Sequence, residues 1–261
     1  MEIWIWALAA GIGYLAGSFS AARAVMYFFA PEKKIEGIQM EFPSMEATFQ
    51  SDVISATSVR HHLGNKYGCL TSILDILKAA LPALLFRFWK PDTSYYLVAA
   101  GMVTVGHIFP LYHRFKGGRG MSPILGGMLV VDWLGVIVTQ LVGAVSGLAT
   151  KNLGVMVGAG FALMIPWSWW RHRSWPEVVY LLVMNALFWI ALIPEAKEVR
   201  KITREGGLEK FIESEHNRMF GEGEEKPPSF PPLTDLKAWR KRLFNRGEKA
   251  ENEEELESNE N

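Results

Sequence analysis

The residues best suited to chemistry lie in one short stretch, residues 106–120, which read GHIFPLYHRFKGGRG. At its end two cations alternate with three glycines: Lys116, Gly117, Gly118, Arg119 and Gly120. Glycines let backbone N–H groups approach an anion closely, and the cations add charge and directed donors. The stretch therefore predicts a phosphate-binding loop. The alternative interpretation, a glycine-rich cationic anchor at a membrane surface, stays open from these residues alone.

Three ionisable side chains lie in apolar sequence before the glycines. Asp75 and Lys78 are three residues apart, which places both on one face of a helix, and His107 lies near the start of the glycine-containing stretch. Ionisable residues within a membrane segment are costly, so they suggest a function. The alternative is that Asp75 and Lys78 only satisfy each other and that His107 is a hydrogen-bonded packing residue.

Other catalytic chemistries find little support in the sequence. The six histidines are scattered without the spacing of metal ligands. A P-loop is excluded because the Ser or Thr that follows its lysine is missing. Cys69 is the only cysteine, so the chain cannot form an internal disulfide. We therefore predict no metal and no cofactor.

Membrane-spanning helices must position these residues, because the chain contains several apolar runs of about 17 to 25 residues. Six such runs are residues 3–22, 67–86, 93–113, 133–150, 152–170 and 178–194, and a shorter one is residues 120–131. Gly13 and Gly17 in the first run predict close helix packing. The pattern predicts an all-α integral membrane protein, a bundle of about seven transmembrane helices, one of them short, with a charged C-terminal tail. A water-soluble domain and a nucleic-acid binder are disfavoured.

Basic residues predict the orientation of the bundle, since they concentrate in cytoplasmic loops. With seven spans and the N-terminus outside, the segments that face the cytoplasm contain twelve Lys and Arg, and the outer segments contain four. We expect a multi-pass protein of the plasma membrane. Residues 106–120 and the C-terminal tail then lie on the cytoplasmic side.

The distribution of charge predicts the domain organisation, because residues 1–194 carry a net charge of +4 and the remainder −4. Residues 1–196 are expected to form the membrane domain, and residues 197–221 a charged cytoplasmic extension. Residues 222–261 are expected to contain a linker rich in Pro and Glu, a short basic amphipathic helix and a disordered acidic end. A poorly ordered, solvated helix is the alternative for the basic segment.

Residues 106–120 resemble the GHxFPxFxxFKGGKG signature of the bacterial acyl-phosphate:glycerol-3-phosphate acyltransferases of the PlsY type. Tyr112 and Arg119 are conservative departures from it. Residues 75–82, DILKAALP, are similar to the DxxKGxxP segment of that family, and residues 13–18, GYLAGS, are similar to its GYLLGS element. The stretch at 63–68 matches as well, and the order of the segments agrees over residues 10–125. The chain is identified as a divergent member of the family.

The departures from the family pattern concentrate in one loop. Its SGNxGAxNxxR motif corresponds to residues 51–61, SDVISATSVRH, where Ser51, Ala56 and Thr57 match. His61 occupies the position of the family's arginine, with Arg60 beside it. An insertion near residues 35–50 precedes this motif, and the family's closing HRENI segment has no counterpart after the last span.

The resemblance implies transfer of a fatty acyl group from acyl phosphate to glycerol 3-phosphate, with lysophosphatidate and phosphate as products. This is a step of phospholipid synthesis at a bacterial inner membrane. Membrane lipid is the other expected partner, and a homo-oligomer is an open alternative. The resemblance also implies a phosphate pocket made by the residues at 116–120 together with Ser51, Thr57, Lys78 and either Arg60 or His61. Asp75 would orient Lys78. His107 would accept the hydroxyl proton or fix the loop, with substrate phosphate as the alternative base.

Two further functions stay open at the level of sequence. The cationic loop would also suit a transporter or channel for a small anion, although polar residues spread through several spans would favour that more. An inactive homologue that serves as a membrane scaffold is suggested by the altered motif at 51–61 and by the missing closing segment.

Overall fold

The computed structural model describes residues 2–32, 37–42, 47–51, 53–150 and 153–206. All of these belong to the first of two compact units, Met1–Lys226, and the second unit, Pro227–Asn261, lies outside the described residues. The linker, basic helix and acidic end predicted at 222–261 therefore lie outside them too. The elements are α1 Ile3–Ser18, α2 Ala21–Phe29, β1 Ile38–Phe42, β2 Ala47–Ser51, α3 Ala56–Leu63, α4 Asn65–Trp89, α5 Tyr95–Ile108, a 3₁₀ turn Leu111–His113, α6 Met121–Thr150, α7 Leu153–His172 and α8 Trp175–Gly206.

Apolar sequence accounts for the helices. Among the described residues, five helical stretches are long and apolar enough to cross a membrane, namely Ile3–Phe29, Asn65–Trp89, Tyr95–His113, Met121–Thr150 and Trp175–Pro194. A helix satisfies its backbone hydrogen bonds within its own segment, which is what a bilayer requires. The prediction of a helical, multi-pass membrane protein is confirmed. The last helix runs past the predicted domain boundary at residue 196 and ends at Gly206.

The helix α6 consists of two helical halves that meet at Asp132, whose φ of −156° and ψ of 99° are not helical. The Asp132 carboxylate accepts a hydrogen bond from the Gly135 backbone nitrogen at 3.0 Å, as the N-cap of a second helix does. The first half runs alongside α4, since Gly126 faces Ile76 and the Val131 carbonyl contacts Arg87. The predicted short run, residues 120–131, and the run at 133–150 therefore form separate helical segments.

The second half of α6 runs antiparallel to α7. Gly135 faces Trp167 near the end of α7, and Gly143 faces Gly160 nearer its start. The same kind of pairing shows that α7 is antiparallel to α8, because Ser168 contacts Glu177 and Phe161 contacts Phe188. The chain thus reverses direction at Asp132.

In the part of the chain that the structure describes, seven helical segments therefore cross the bundle in alternating directions: α1, α4, α5, the two halves of α6, α7 and α8. One end of the bundle, here called the loop end, contains Ser18, His107 and the glycines that follow. The other end, called the Asp132 end, contains Arg87, Asp132 and the start of α8. The core between them is built from buried aliphatic and aromatic side chains of α1 and α4–α8.

Close contact between α1 and α5 sets the geometry of the loop end. A Cβ atom at Gly13 would collide with the Ala99 carbonyl oxygen, and one at Gly17 would collide with the backbone of Val103. Glycine is therefore required at both positions for the two backbones to meet. This confirms the close packing predicted from their spacing.

The insertion near residues 35–50 contains an antiparallel hairpin of β1 and β2, in which Ile38 pairs with Ser51. This hairpin is the one element in the described ranges that the all-α prediction does not include.

After the hairpin, Ser55 caps α3: its side chain accepts a hydrogen bond from the Thr57 nitrogen, and its backbone nitrogen donates to Ser58. The helix α3 packs on α4 and α2.

Candidate functional site

Asp75, Lys78 and His107 form a buried polar cluster at the loop end. The Lys78 ammonium lies 2.9 Å from the Asp75 carboxylate and 2.9 Å from His107 Nδ1. The His107 ring is 3.5 Å from the same carboxylate. The side chains of Lys78 and Asp75 are only 10% and 3% exposed, so solvent screens this pair weakly. The pairing considered from the three-residue spacing is present.

Lys78 also ties the cluster to the end of α1. Its ammonium donates to the carbonyl oxygens of Gly17 at 3.2 Å and Phe19 at 2.8 Å. These carbonyls become available because α1 ends at Ser18 and Phe19 is extended. Lys78 therefore connects α4, α1 and α5 through one side chain.

The glycines of the loop are required by their contact with His107. A Cβ atom at Gly118 would overlap the imidazole at Nε2, and one at Gly117 would overlap the His107 carbonyl oxygen. The Gly118 nitrogen donates to that carbonyl at 3.0 Å. Gly120 has a φ of +81°, which side chains other than glycine rarely adopt. The sequence predicted that these glycines let the backbone approach an anion. In this structure the glycine backbone instead lies close to the His107 imidazole.

The turn before the glycines is tight. Arg114 and Phe115 both have positive φ, at 52° and 61°. The Phe115 nitrogen donates to the Pro110 carbonyl at 3.0 Å, and the Lys116 nitrogen donates to the His113 carbonyl at 3.1 Å. The turn leaves the Lys116 side chain exposed and the Arg119 side chain half-buried. The loop therefore presents an exposed lysine immediately before the glycines that contact His107.

Two side chains of α1 anchor the start of this loop. The Tyr14 hydroxyl donates to the Phe109 carbonyl at 3.0 Å. The Ser18 hydroxyl accepts from the Leu111 nitrogen at 3.1 Å and donates to the Tyr14 carbonyl at 2.9 Å. Sequence reasoning did not assign Tyr14 or Ser18 to the site. The signal that could have found them is the match of residues 13–18 to the GYLLGS element.

Arg23 at the start of α2 is a third side chain that sequence reasoning missed. Its guanidinium donates to the Lys116 carbonyl at 3.3 Å, across 93 residues of sequence. Its Nε atom is buried and makes no hydrogen bond with any residue that the structure describes. The Arg23 guanidinium thus adds positive charge beside the backbone of Lys116.

The residues predicted from the altered motif lie on the hairpin and on α3. Ser51 is buried at the end of β2, Thr57 and Arg60 are half-buried on α3, and His61 is exposed. Within the described chain, neither Thr57 nor Arg60 makes a hydrogen bond or ion pair with the loop at 116–120. The structure thus brings Asp75, Lys78, His107 and the glycines into contact and places Thr57 and Arg60 on an adjoining helix.

The chemistry available to this site is electrostatic. Among the described side chains, no three His, Cys, Asp or Glu converge as ligands for a metal ion. The Lys78 ammonium has three N–H donors and four partners within reach: the Asp75 carboxylate, the carbonyls of Gly17 and Phe19, and Nδ1 of His107. The site offers fixed positive charge and an exposed lysine at the end of an apolar bundle.

Comparison with known proteins assigns this chain to a family. The family model described as glycerol-3-phosphate acyltransferase matches residues 7–202. A glycerol-3-phosphate acyltransferase of Legionella pneumophila is 27% identical over 164 residues, which are 62% of this chain and 47% of that relative. One of Mycoplasma capricolum is 31% identical over 61% of this chain and 60% of its own length. The chain thus spans about half to three fifths of these two relatives.

A relative from Hahella chejuensis is covered more fully. This glycerol-3-phosphate acyltransferase is 29% identical over 182 residues, which are 69% of this chain and 86% of that protein.

Two solved structures share the fold. They are crystal structures of PlsY (YgiH), an integral membrane glycerol 3-phosphate acyltransferase, in its glycerol 3-phosphate form and its lysophosphatidic acid form. The TM-scores are 0.62 and 0.63 at 20% and 21% identity. The matches cover 75% and 79% of this chain and 92% and 98% of those chains. This chain belongs to the glycerol-3-phosphate acyltransferase family.

Proposed function

We propose that this protein transfers a fatty acyl group from acyl phosphate to a hydroxyl of glycerol 3-phosphate, giving lysophosphatidate and inorganic phosphate. The observation that carries the proposal is the contact of the glycine loop, residues 116–120, with the buried cluster of Asp75, Lys78 and His107. That contact holds Lys116 in place at the end of an apolar bundle. Family membership supports the acceptor, and the resemblance of residues 106–120 supports the donor.

The site suits substrates that combine phosphate with an alkyl chain. Both substrates carry phosphate, and Lys116, Arg119 and Arg23 supply positive charge where the loop leaves the bundle. The donor also carries a fatty chain, which lipid accommodates. Because acyl phosphate already has a good leaving group, positioning and charge stabilisation account for most of the rate, and no nucleophilic side chain is needed.

In the proposed reaction, the acceptor hydroxyl oxygen attacks the acyl carbonyl carbon. The bond between that carbon and the phosphate oxygen breaks, and the phosphate leaves with the electron pair. Lys116 and Arg119 stabilise the negative charge on the carbonyl oxygen and the departing phosphate. The proton of the acceptor hydroxyl passes to the departing phosphate.

His107 fixes the loop in this proposal and does not act as the base. Its Nδ1 is held between the Lys78 ammonium at 2.9 Å and the Asp75 carboxylate at 3.5 Å. Nε2 also faces the backbone at Gly118, and the residue is only 9% exposed. Asp75 balances the charge of Lys78 and keeps its ammonium oriented.

In the proposed orientation the loop end faces the cytoplasm. Glycerol 3-phosphate enters the site from there, and inorganic phosphate is released there. The excess of basic residues in the segments at that end supports this orientation. Labelling of cysteines introduced at residues 116 and 173, with a reagent that does not cross the membrane, tests the orientation in intact cells. Labelling at 173 alone is expected, and labelling at 116 alone would reverse the topology.

The donor is tested by supplying the purified full chain with glycerol 3-phosphate and either palmitoyl phosphate or palmitoyl-CoA. Lysophosphatidate is expected from palmitoyl phosphate and not from palmitoyl-CoA. Formation from the thioester at an equal or greater rate would overturn the proposed donor. Failure with both donors in folded protein would favour the inactive, scaffold-type homologue.

A further inference from the structure

A cavity of about 420 Å³ lies at the Asp132 end, where α4, the turn inside α6 and the end of α7 meet. On α4 it contacts Arg87, which is nine residues beyond Lys78. That spacing corresponds to about 13 Å along the helix axis. The charged end of the cavity is therefore distinct from the cluster at the loop end, and the proposed reaction makes no use of it.

The polar lining of the cavity is positively charged overall. Arg87, Arg171, His172 and Asp132 line it. The carboxylate of Asp132 is already engaged by Arg171 Nε at 3.1 Å and by His172 Nε2 at 3.1 Å. It also accepts from Trp167 Nε1 at 3.0 Å and from the Gly135 nitrogen. Asp132 thus neutralises one of the two guanidinium groups and leaves the other.

The other guanidinium is that of Arg87. One of its nitrogens donates to the Val131 carbonyl at 3.4 Å, and the group stacks over the Tyr96 ring with its centre 5.3 Å from the centroid. Both partners are uncharged. Among the described residues Arg87 makes no ion pair. The Glu177 carboxylate at this end is bound by the hydroxyls of Tyr96 and Ser168, so the Arg87 guanidinium lines the cavity without a carboxylate in direct contact. An uncompensated cation near a bilayer favours an anionic occupant.

The remaining walls of the cavity are apolar. Ala80, Leu84, Leu129 and Val130 line the side that leads toward the bilayer core. Phe88 and Trp133 lie at the rim with 80% and 62% of their surface exposed. Aromatic side chains in this position are typical of the membrane interface. An occupant must therefore combine a negatively charged head with an alkyl chain, which a free phosphate ion does not.

We infer that this cavity binds one anionic phospholipid from the leaflet at the Asp132 end. The lipid phosphate lies against Arg87, and an acyl chain lies along Ala80 and Leu129. The site is a second lipid site, separate from the one at which acyl transfer is proposed.

Native mass spectrometry of the full chain, released from detergent with phosphatidylglycerol or phosphatidylcholine, tests this inference. Phosphatidylglycerol is expected to bind more tightly. Arg87→Gln keeps a donor for the Val131 carbonyl but removes the charge, and it should weaken phosphatidylglycerol binding about fivefold, the effect of one basic residue at a membrane surface. Arg173→Gln is the matched control, because Arg173 is exposed at the same end and does not line the cavity.

A second variant keeps the test independent of the charge. Ala80→Phe fills the apolar side of the cavity and should weaken binding of the same lipid, while acyl transfer continues in both variants. Equal binding of the two lipids would overturn the inference, as would equal losses in Arg87→Gln and Arg173→Gln. Full competition by millimolar inorganic phosphate would also overturn it, because the occupant would then be a soluble anion.

Discussion

The Lys78 ammonium lies 2.9 Å from Nδ1 of His107, and the backbone of Gly118 covers the opposite nitrogen of the same imidazole. A side chain in the second membrane-crossing segment thereby supports a loop that begins after the third. This relationship explains why charged residues are retained inside an apolar helix: they hold the backbone from which Lys116 extends.

The first prediction concerns the loop lysine. Lys116→Ala should lower phosphate release from palmitoyl phosphate by about two to three orders of magnitude, because it removes a charge that the proposed reaction places at the reacting groups. Arg114→Gln is the control, since Arg114 is an exposed cation two residues away in the same turn. Equal losses in the two variants would show that the general charge of the loop matters and that Lys116 has no specific role.

The second prediction concerns the contact between the loop and the imidazole. Gly118→Ala places a methyl group against His107 and should displace the loop, with a loss of activity about as large as that of Lys116→Ala. Gly11→Ala is the matched control, because a Cβ at Gly11 has no atom within 4 Å. Full activity in Gly118→Ala would mean that the loop does not need its present position.

The third prediction concerns the stability of the buried pair. Asp75→Asn leaves Lys78 without its counter-charge and should lower the free energy of unfolding by about 3 to 5 kcal/mol. The double variant with Lys78→Met should cost less than the sum of the two single changes, by about 1 to 3 kcal/mol. Denaturation in one fixed detergent measures all three variants. Additive losses would show that the two side chains do not act as a pair.

The fourth prediction concerns Arg23. Arg23→Ala removes the hydrogen bond to the Lys116 carbonyl and should raise the KM for glycerol 3-phosphate about fivefold, with a smaller change in kcat. Arg173→Ala removes a guanidinium at the opposite end and should leave both constants unchanged. An unaltered KM in Arg23→Ala would separate this residue from the site.

The fifth prediction concerns the C-terminal segment. Removal of residues 222–261 should leave phosphate release unchanged, because the candidate site is built from α1, α2, α4, α5 and the glycine loop. The truncated and full-length proteins are compared at equal concentration in the same detergent. Loss of activity on truncation together with full activity in Lys116→Ala would contradict the site described above.

Local sequence features predicted much of this architecture. Most of the apolar runs coincide with helices, although the first run is divided where α1 ends at Ser18 and α8 continues past the last run to Gly206. The break between two runs at Asp132 is the place where the chain reverses. The three-residue spacing of Asp75 and Lys78 predicted their contact. These features depend on helix periodicity and on the cost of charge in lipid, which act over a few neighbouring residues.

Contacts between distant segments were beyond the same reasoning. The hydrogen bonds of Ser18 to Leu111 and of Arg23 to Lys116 each span 93 residues. They exist because α1 and α5 pack at glycine positions, and no local periodicity indicates which partner a side chain will meet. The hairpin of β1 and β2 likewise depends on pairing across the insertion.

Phosphate release by the purified full chain, given palmitoyl phosphate with and without glycerol 3-phosphate, tests the central claim most directly. The account predicts release that depends on glycerol 3-phosphate, with lysophosphatidate formed in equal amount. Release that is independent of glycerol 3-phosphate, or no release from folded protein, would contradict it.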